Sequence, residues 1–151
     1  MELEHYSLEV NNRTLEYTFF SEGPRGLIKK MIRFTLVKAL KVEYYNLSFG
    51  DWNEGLNDLD DSARSDNQDV KKILATIANA VIDFWKNHPN TIIYAQGSSS
   101  ARTRRYQMEI NKYLKELEVD IKLFGLVEDV GFVPFKGGFN YLAFLAFKKI
   151  K

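Results

Sequence analysis

Cysteine is absent from this chain of 151 residues. Without thiols there is no disulfide framework, no thiolate nucleophile and no zinc–thiolate site. Histidine is scarce as well, because only two occur. His5 lies near a terminus and His88 stands beside Pro89 at a predicted helix end, so a Ser–His pair or a metal–histidine site finds little support. The sequence therefore argues against several common classes of catalytic and metal site.

A strong charge of either sign is also lacking. The chain has 21 basic and 20 acidic residues, a formal net charge of +1, which offers no general attraction to nucleic acids or anionic membranes. No apolar run approaches the roughly 18 residues of a membrane-spanning helix. The first five residues, Met1 to His5, lack the basic cluster and apolar stretch of a signal peptide. With 45% hydrophobic residues, we expect a soluble, cytoplasmic, single domain over residues 1–151.

Residues 3–50 show the alternation that is typical of strands. Two alternating runs, from Tyr6 to Val10 and from Leu15 to Phe19, flank the turn signal Asn11-Asn12 and predict a hairpin with a two-residue loop. Further strands are predicted from Ile28 to Leu40 and from Val42 to Phe49, after the break at residues 23–26. A helix over 28–40 is the weaker alternative because the alternation is dense.

Residues 51–69 form the most acidic segment, with seven acidic residues and one basic residue, Arg64. Such a stretch has little to bury, and we expect a solvated loop. Asp58, Asp60 and Asp61 within it are candidate ligands of a divalent cation. Their spacing is not that of an EF-hand, and a solvated charged segment is the favoured interpretation, so no metal is predicted.

Two helices follow. Residues 66–69 provide capping and first-turn acidic side chains for a helix that runs to about His88, with apolar residues at spacings of three and four. The second helix is predicted from Ser99 or Ser100 to about Glu118.

Three strands complete the chain: Thr91–Ala95, Ile121–Val127 and Phe139–Phe147. The first and last are apolar on both faces, which indicates central strands or strands covered by another chain. The predicted order is β-β-β-β-α-β-α-β-β. It favours the α+β class, with one mixed, largely antiparallel sheet and two main helices packed on it.

The segment between residues 95 and 106 has the residue types of a candidate anion-binding site. A buried strand ends in a glycine and three serines, and a helix begins at once with three arginines. Free backbone N–H groups and the positive end of the helix dipole attract anions, and arginine matches phosphate or carboxylate geometry. The candidate ligand-binding residues are Gly97, Ser98, Ser99, Ser100, Arg102 and Arg104.

Arg102 continues the predicted buried stripe that begins at Tyr106, whereas Arg105 lines up with the solvent side of the helix. A guanidinium facing the sheet needs a carboxylate or a ligand. Pairing of Arg102 with Asp51 or Asp66 is an equally strong alternative, because ion-pair networks often resemble sites.

Aromatic residues make up 14% of the chain. Tyr44, Tyr45, Phe49 and Trp52 lie close together in the sequence and are candidates for stacking on a base. A core edge or a subunit interface is the favoured interpretation of such a cluster. A homodimer through the aromatic strands is therefore one hypothesis.

Four stretches together resemble an uncharacterised family of small bacterial proteins, mainly from Bacteroidetes, over residues 5–125. They are Tyr45-Asn46-Leu47 with Phe49-Gly50-Asp51, Asn67-x-Asp69, Ala75-Thr76-Ile77, and Gly97-Ser98-Ser99-x-x-Arg102-Thr103-Arg104-x-Tyr106. The resemblance implies a shared fold and a site near Arg102, without an activity.

The element order and the run Arg102-x-x-x-Tyr106 are more weakly similar to acetyltransferases of the GNAT type. That similarity implies a divergent acyltransferase that uses acyl-coenzyme A, with Tyr106 as general acid. The loop before the first helix departs from the family pattern, because Asp66 and Asp69 stand where a pyrophosphate-binding loop is expected.

The preferred interpretation is a domain of unknown function that binds an anion, either a phosphate-bearing small molecule or a nucleic-acid backbone, at the turn before the second helix. No cofactor is predicted for this domain. The sequence does not decide whether the protein is an enzyme. The alternatives are the acyltransferase and a non-catalytic homodimer.

Overall fold

A computed structural model describes residues 3–61 and 66–150 of the chain. Arg64 and Ser65 lie outside the described residues. Within these ranges the strands are β1 (Glu9–Asn11), β2 (Glu16–Gly23), β3 (Gly26–Ala39), β4 (Val42–Asn53), β5 (Asp58–Asp60), β6 (Ile93–Ala95), β7 (Ile121–Val127), β8 (Gly131–Pro134) and β9 (Phe144–Lys148). The helices are α1 (Val70–Asn87), α2 (Ser100–Lys112) and the short α3 (Leu114–Leu117).

The strands form one mixed sheet in the order β1-β2-β3-β4-β6-β9-β7-β8, and β5 pairs with β4 beside this path. Neighbours are antiparallel except β4 and β6, which are parallel. Parallel neighbours need a crossover connection, and α1 lies in that connection. The predicted α+β class, the single mixed sheet and the two main helices are confirmed.

The strands predicted to be central do lie inside the sheet. β6 lies between β4 and β9, and β9 lies between β6 and β7. Both are shorter than predicted: β6 begins at Ile93 and β9 begins at Phe144. The tight β2–β3 hairpin pairs Gly23 with Gly26 across residues 24 and 25, as the break in the sequence indicated.

Other predicted boundaries are also wrong. The β1–β2 connection is a four-residue turn over 12–15, and the Asn11 side chain accepts hydrogen bonds from the backbone N–H groups of Arg13 and Thr14. β4 continues past Gly50 to Asn53 and returns as β5, so part of the acidic segment is a hairpin rather than a loop. The second helix ends at Lys112 and is followed by α3.

β8 was not predicted. It pairs with β7 through Gly131 to Pro134, and the chain then leaves the sheet before it returns as β9.

The core lies between the helices and one face of the sheet, which we call the core face. Phe84 of α1 stacks on Phe34 of β3 with ring centroids 4.2 Å apart, and Trp85 and Ile32 are fully buried beside them. Ile110 of α2 and Ile121 of β7 belong to the same core cluster. None of the described helices is long and apolar enough to cross a bilayer.

Candidate functional site

A cleft of about 420 Å³ lies where the core face of β3 and β4 meets the first turns of α1 and α2. Four basic side chains and three aspartates line it: Arg25, Lys30, Arg102, Arg105, Asp51, Asp66 and Asp69. Its apolar walls include Phe49, Val70, Ile73 and Tyr106. The volume falls in the range of small-molecule sites, roughly 300–1,000 Å³. We refer to this space as the charged cleft.

Lys30 forms part of the sheet wall and is only 4% exposed. It lies on the core face of β3, directly opposite Asp51 of β4 in the strand register. Its Nζ is 2.5 Å from Oδ1 of Asp51 and 5.8 Å from the centroid of the Phe49 ring. A buried lysine requires such a carboxylate because desolvation disfavours an isolated ammonium.

Arg102 enters the cleft from the first turn of α2. Its Nη1 donates a hydrogen bond of 2.8 Å to the backbone carbonyl of Asp61, which ties the helix to the acidic segment. Arg102 was predicted to face the sheet, and its side chain is half-buried and lines the cleft. Arg105 also lines the cleft, although it is exposed. The sequence had predicted only that Arg105 lies on the solvent side of α2.

Arg25 enters from the opposite side, out of the β2–β3 turn. Its position is set by the segment before α1, since the buried Asn67 accepts a hydrogen bond from the Arg25 backbone N–H at 2.7 Å. The Asn67 amide also donates to the Ser21 hydroxyl and to the Gly26 carbonyl. This network fastens the start of α1 to the hairpin and holds both beside the cleft.

The serine-rich turn is closed by its own helix. The Gly97 N–H donates to the Thr103 hydroxyl at 3.0 Å, and that hydroxyl donates to the Ser99 carbonyl. A Cβ on Gly97 would lie 2.5 Å from the Thr103 nitrogen. The space beside this glycine is therefore filled by Thr103.

The remaining predicted site residues lie around that turn. Ser99 is the N-cap of α2, its hydroxyl accepting from the Arg102 N–H at 3.3 Å. Ser98 and Ser100 are exposed. Arg104 is also exposed and reaches Asn140, with Nη1 3.5 Å from Oδ1. Of the six predicted ligand-binding residues, Arg102 is the one that lines the charged cleft.

Asp69 occupies the N-cap position of α1 without capping it, because its side chain makes no bond to the helix. Its Oδ2 instead accepts hydrogen bonds from the Tyr6 hydroxyl at 2.6 Å and the Ser21 hydroxyl at 2.5 Å. Burial and the hydrogen bond to Asp69 raise the pKa of Tyr6. Residues 66–69 were predicted to supply a cap and first-turn acidic side chains for this helix. The N-cap residue Asp69 makes no side-chain bond to it and no acidic residue lies in its first turn, because the hydroxyl groups of Tyr6 and Ser21 hold the Asp69 carboxylate.

Tyr106 lines the cleft one turn after Arg102. Burial raises the pKa of its hydroxyl above 10.0, while Arg102 and Arg105 act in the opposite direction. The phenol, protonated at neutral pH like any tyrosine, therefore stays a hydrogen-bond donor to a higher pH than usual.

The aromatic cluster predicted from the sequence is divided between the two sheet faces. Phe49 lines the cleft and stacks on Phe19, with ring centroids 6.2 Å apart. Tyr45 packs against Phe84 in the core. On the other face Tyr44 contacts Tyr94, and Trp52 lies under the ammonium of Lys29. Only Phe49 is available to a ligand in the cleft.

The candidate metal ligands of the acidic segment are not assembled into a site. Across the described ranges, no group of three or more His, Asp or Glu side chains is placed to hold a metal ion. Asp58 instead pairs with Arg33 at 2.8 Å, and this hydrogen bond lowers the pKa of Asp58. His88 ends α1, its ring stacked on Phe84.

Sequence reasoning missed Lys30, although a signal for it exists. The alternation of β3 puts Lys30 on the same face as Ile32 and Phe34, so a lysine stands at the end of an apolar face. Arg25 could not be identified in this way, because its place at the cleft depends on contacts between segments far apart in sequence.

The protein belongs to DUF6934, a family of unknown function, whose family model matches residues 2–149. This confirms the resemblance to an uncharacterised family. No curated protein and no solved structure matches the chain. The similarity to acetyltransferases therefore gains no support from these comparisons.

Proposed function

We propose that this member of the DUF6934 family binds a small phosphate-bearing molecule in the charged cleft. The observation that carries the proposal is the pair Arg25 and Arg105. These guanidinium groups come from different elements, line one cleft, and form no ion pair or side-chain hydrogen bond with the described part of the chain. Guanidinium forks fit phosphate oxygens and give strong charge-assisted hydrogen bonds.

The cleft has four basic side chains and three aspartates, so the basic groups are in excess by one. Asp51 is engaged by Lys30, and Asp69 is engaged by Tyr6 and Ser21. Asp66 accepts from the backbone N–H of Gln68. The first turn of α2 also borders the cleft and favours an anion, whereas Asp66 and Asp69 at the start of α1 act in the opposite direction. The cleft thus retains positive charge that an anion can neutralise.

The size of the site favours a small molecule over a nucleic-acid backbone. A cleft of about 420 Å³ encloses one compact ligand. A protein that follows a nucleic-acid backbone needs an extended basic surface, and the net charge here is only +1. The proposed binding residues are Arg25, Lys30, Arg102 and Arg105. The turn residues Gly97 to Ser100 position α2 rather than the ligand.

Thermal unfolding with added ribose 5-phosphate tests this proposal. Ligand at 100 times its Kd stabilises a protein by about 2.7 kcal/mol, so the unfolding midpoint should rise measurably. Arg105→Gln should abolish the rise because it removes a phosphate contact. Arg104→Gln is the matched control, one residue along α2 but directed toward Asn140, and should keep the rise.

The proposal would be rejected by two results. One is the absence of a midpoint shift with both ribose 5-phosphate and AMP at an ionic strength matched with chloride. The other is an equal shift in the wild-type protein and in Arg105→Gln. A short oligonucleotide that stabilises more than ribose 5-phosphate would instead favour a nucleic-acid backbone.

The acyltransferase hypothesis retains one supporting observation. Tyr106 lies in the cleft with its hydroxyl protonated, which is the state required of a general acid. Acetyl-coenzyme A therefore belongs in the same thermal-shift series as a separate arm. A cofactor is otherwise not part of the proposal, and the cytoplasmic location rests on the sequence alone.

A homodimer is a second candidate, favoured by the sheet face opposite the core face, which we call the open face. Tyr44 packs against Tyr94 there, and Phe124 packs against Phe147 with ring centroids 5.5 Å apart. Phe132 is 42% exposed at the same face. A half-buried aromatic surface with one exposed ring is typical of protein interfaces. We propose a second copy of the chain as its partner.

A further inference from the structure

We infer that the ligand of the charged cleft carries an aromatic ring beside its phosphate, as a nucleoside monophosphate does. This inference rests on the proposed function and specifies the class of ligand. It is carried by the apolar walls of the cleft, which a bare anion would leave in contact with water.

Those walls come from three elements. Phe49 lies on β4, Ile73 lies on α1 and Tyr106 lies on α2. Two of the three are aromatic and can pack against a planar ring. An inorganic phosphate would fill only a small part of about 420 Å³ and would leave most of this apolar surface in contact with water.

The ring of Phe49 packs against another ring of the sheet. It lies parallel to Phe19, with an interplanar angle of 5°, and Phe19 is 2% exposed. A wall residue fixed in this way loses little conformational freedom when a ligand packs on it. The site therefore has a preformed apolar wall.

The charged and aromatic groups are also adjacent. Lys30 lies 5.8 Å from the centroid of the Phe49 ring, and Arg102 and Arg105 stand within one turn of Tyr106 on α2. A ligand that fits must present its anionic group and its ring within a few bonds of each other. Nucleoside monophosphates have this arrangement, whereas sugar phosphates lack the ring.

Calorimetric titration with AMP, ribose 5-phosphate and adenosine separates the two parts of the ligand. Stacking of a base on aromatic side chains makes binding about tenfold tighter or more, so AMP should bind with a Kd about tenfold below that of ribose 5-phosphate. Adenosine, which lacks the phosphate, should bind more weakly than AMP.

Variants at position 106 test whether the tighter binding of AMP than of ribose 5-phosphate arises in the charged cleft. Tyr106→Leu should reduce AMP binding about tenfold and leave ribose 5-phosphate unchanged, because it removes only the ring. Tyr106→Phe should keep the preference. Phe124→Leu removes a ring from the open face and serves as the control, with no effect expected. Circular dichroism verifies that each variant is folded.

The outcomes distinguish the inference from the proposed function. Equal binding of AMP and ribose 5-phosphate, lost in Arg105→Gln, overturns the inference and leaves the proposed function standing. An AMP preference that survives both Tyr106→Leu and Phe49→Leu also overturns the inference. If no phosphate compound binds, or adenosine binds as tightly as AMP, the proposed function fails as well.

Discussion

At the turn before α2, Gly97 brings the backbone against Thr103. A glycine at this position indicates that another group approaches the backbone closely, and the sequence predicted that this group is a ligand. The closest atoms belong to the protein itself, since the Thr103 nitrogen would lie 2.5 Å from an added Cβ. A glycine thus predicts a close approach, while the approaching group is decided by the fold.

Tyr17 shows how burial changes the acid–base behaviour of one side chain. Its hydroxyl donates to Oδ2 of Asp83 at 2.8 Å, and the residue is 2% exposed. Burial first, and then the hydrogen bond to Asp83, raise the pKa of Tyr17 well above 10.0. Its phenol therefore stays protonated in the folded state at pH values where the unfolded chain ionises.

We expect the free energy of unfolding to fall as the pH rises above about 10, the pKa of an unperturbed tyrosine. The unfolded state then loses a proton that folded Tyr17 keeps, so alkaline pH favours unfolding by up to about 1.4 kcal/mol per pH unit. Urea unfolding at pH 9 to 11 measures this slope. In Tyr17→Phe the slope should become shallower, and an unchanged slope would contradict the assignment.

At the scale of elements, the two main helices begin in different ways. α2 has a serine N-cap whose hydroxyl binds the Arg102 N–H. α1 has an aspartate in the same position, but that carboxylate is engaged by Tyr6 and Ser21. Both helix starts were predicted within a few residues. The partners of Asp69 were not, because they come from segments distant in sequence.

We predict that Ser99→Ala lowers the free energy of unfolding by about 1 kcal/mol, since it leaves a helix N–H without its cap. Ser98→Ala is the matched control one residue earlier. Its hydroxyl forms no hydrogen bond within residues 3–61 and 66–150, and its removal should change stability by less than about 0.5 kcal/mol. Urea denaturation of both variants makes the comparison. Equal losses would show that the hydroxyl of Ser99 does not cap α2.

At the scale of the whole molecule, the sheet separates two surfaces. The core face is covered by the helices and contributes one wall of the charged cleft. The open face carries Tyr44, Tyr94, Phe124 and Phe147, which take no part in the core cluster. The apolar pattern of β9 required that it be central or covered by another chain, and its place between β6 and β7 meets the first condition.

We expect the protein to sediment as a dimer at micromolar concentration if a second copy covers the open face. Phe132→Glu should shift it toward the monomer, because a charge in an apolar interface is costly. Val119→Glu, at an exposed position that follows α3, is the control and should leave the dimer intact. A wild-type monomer in analytical ultracentrifugation would exclude this interface.

The sequence by itself determined the α+β class and both main helices, because hydrophobic periodicity acts over a few neighbouring residues. It also showed that β6 and β9 must be buried on both faces, but only the tertiary structure showed that β9 is buried within the sheet rather than by another chain. The sequence also identified Arg102 as inward-facing. It did not predict β8, nor that β4 would continue past Gly50 to pair with β5, since strand pairing depends on contacts across the chain. The charged cleft was decided by tertiary structure alone: Arg25, Lys30 and Arg105 are 80 positions apart at the extremes, and only the packing of α1 and α2 on β3 and β4 brings them to one place.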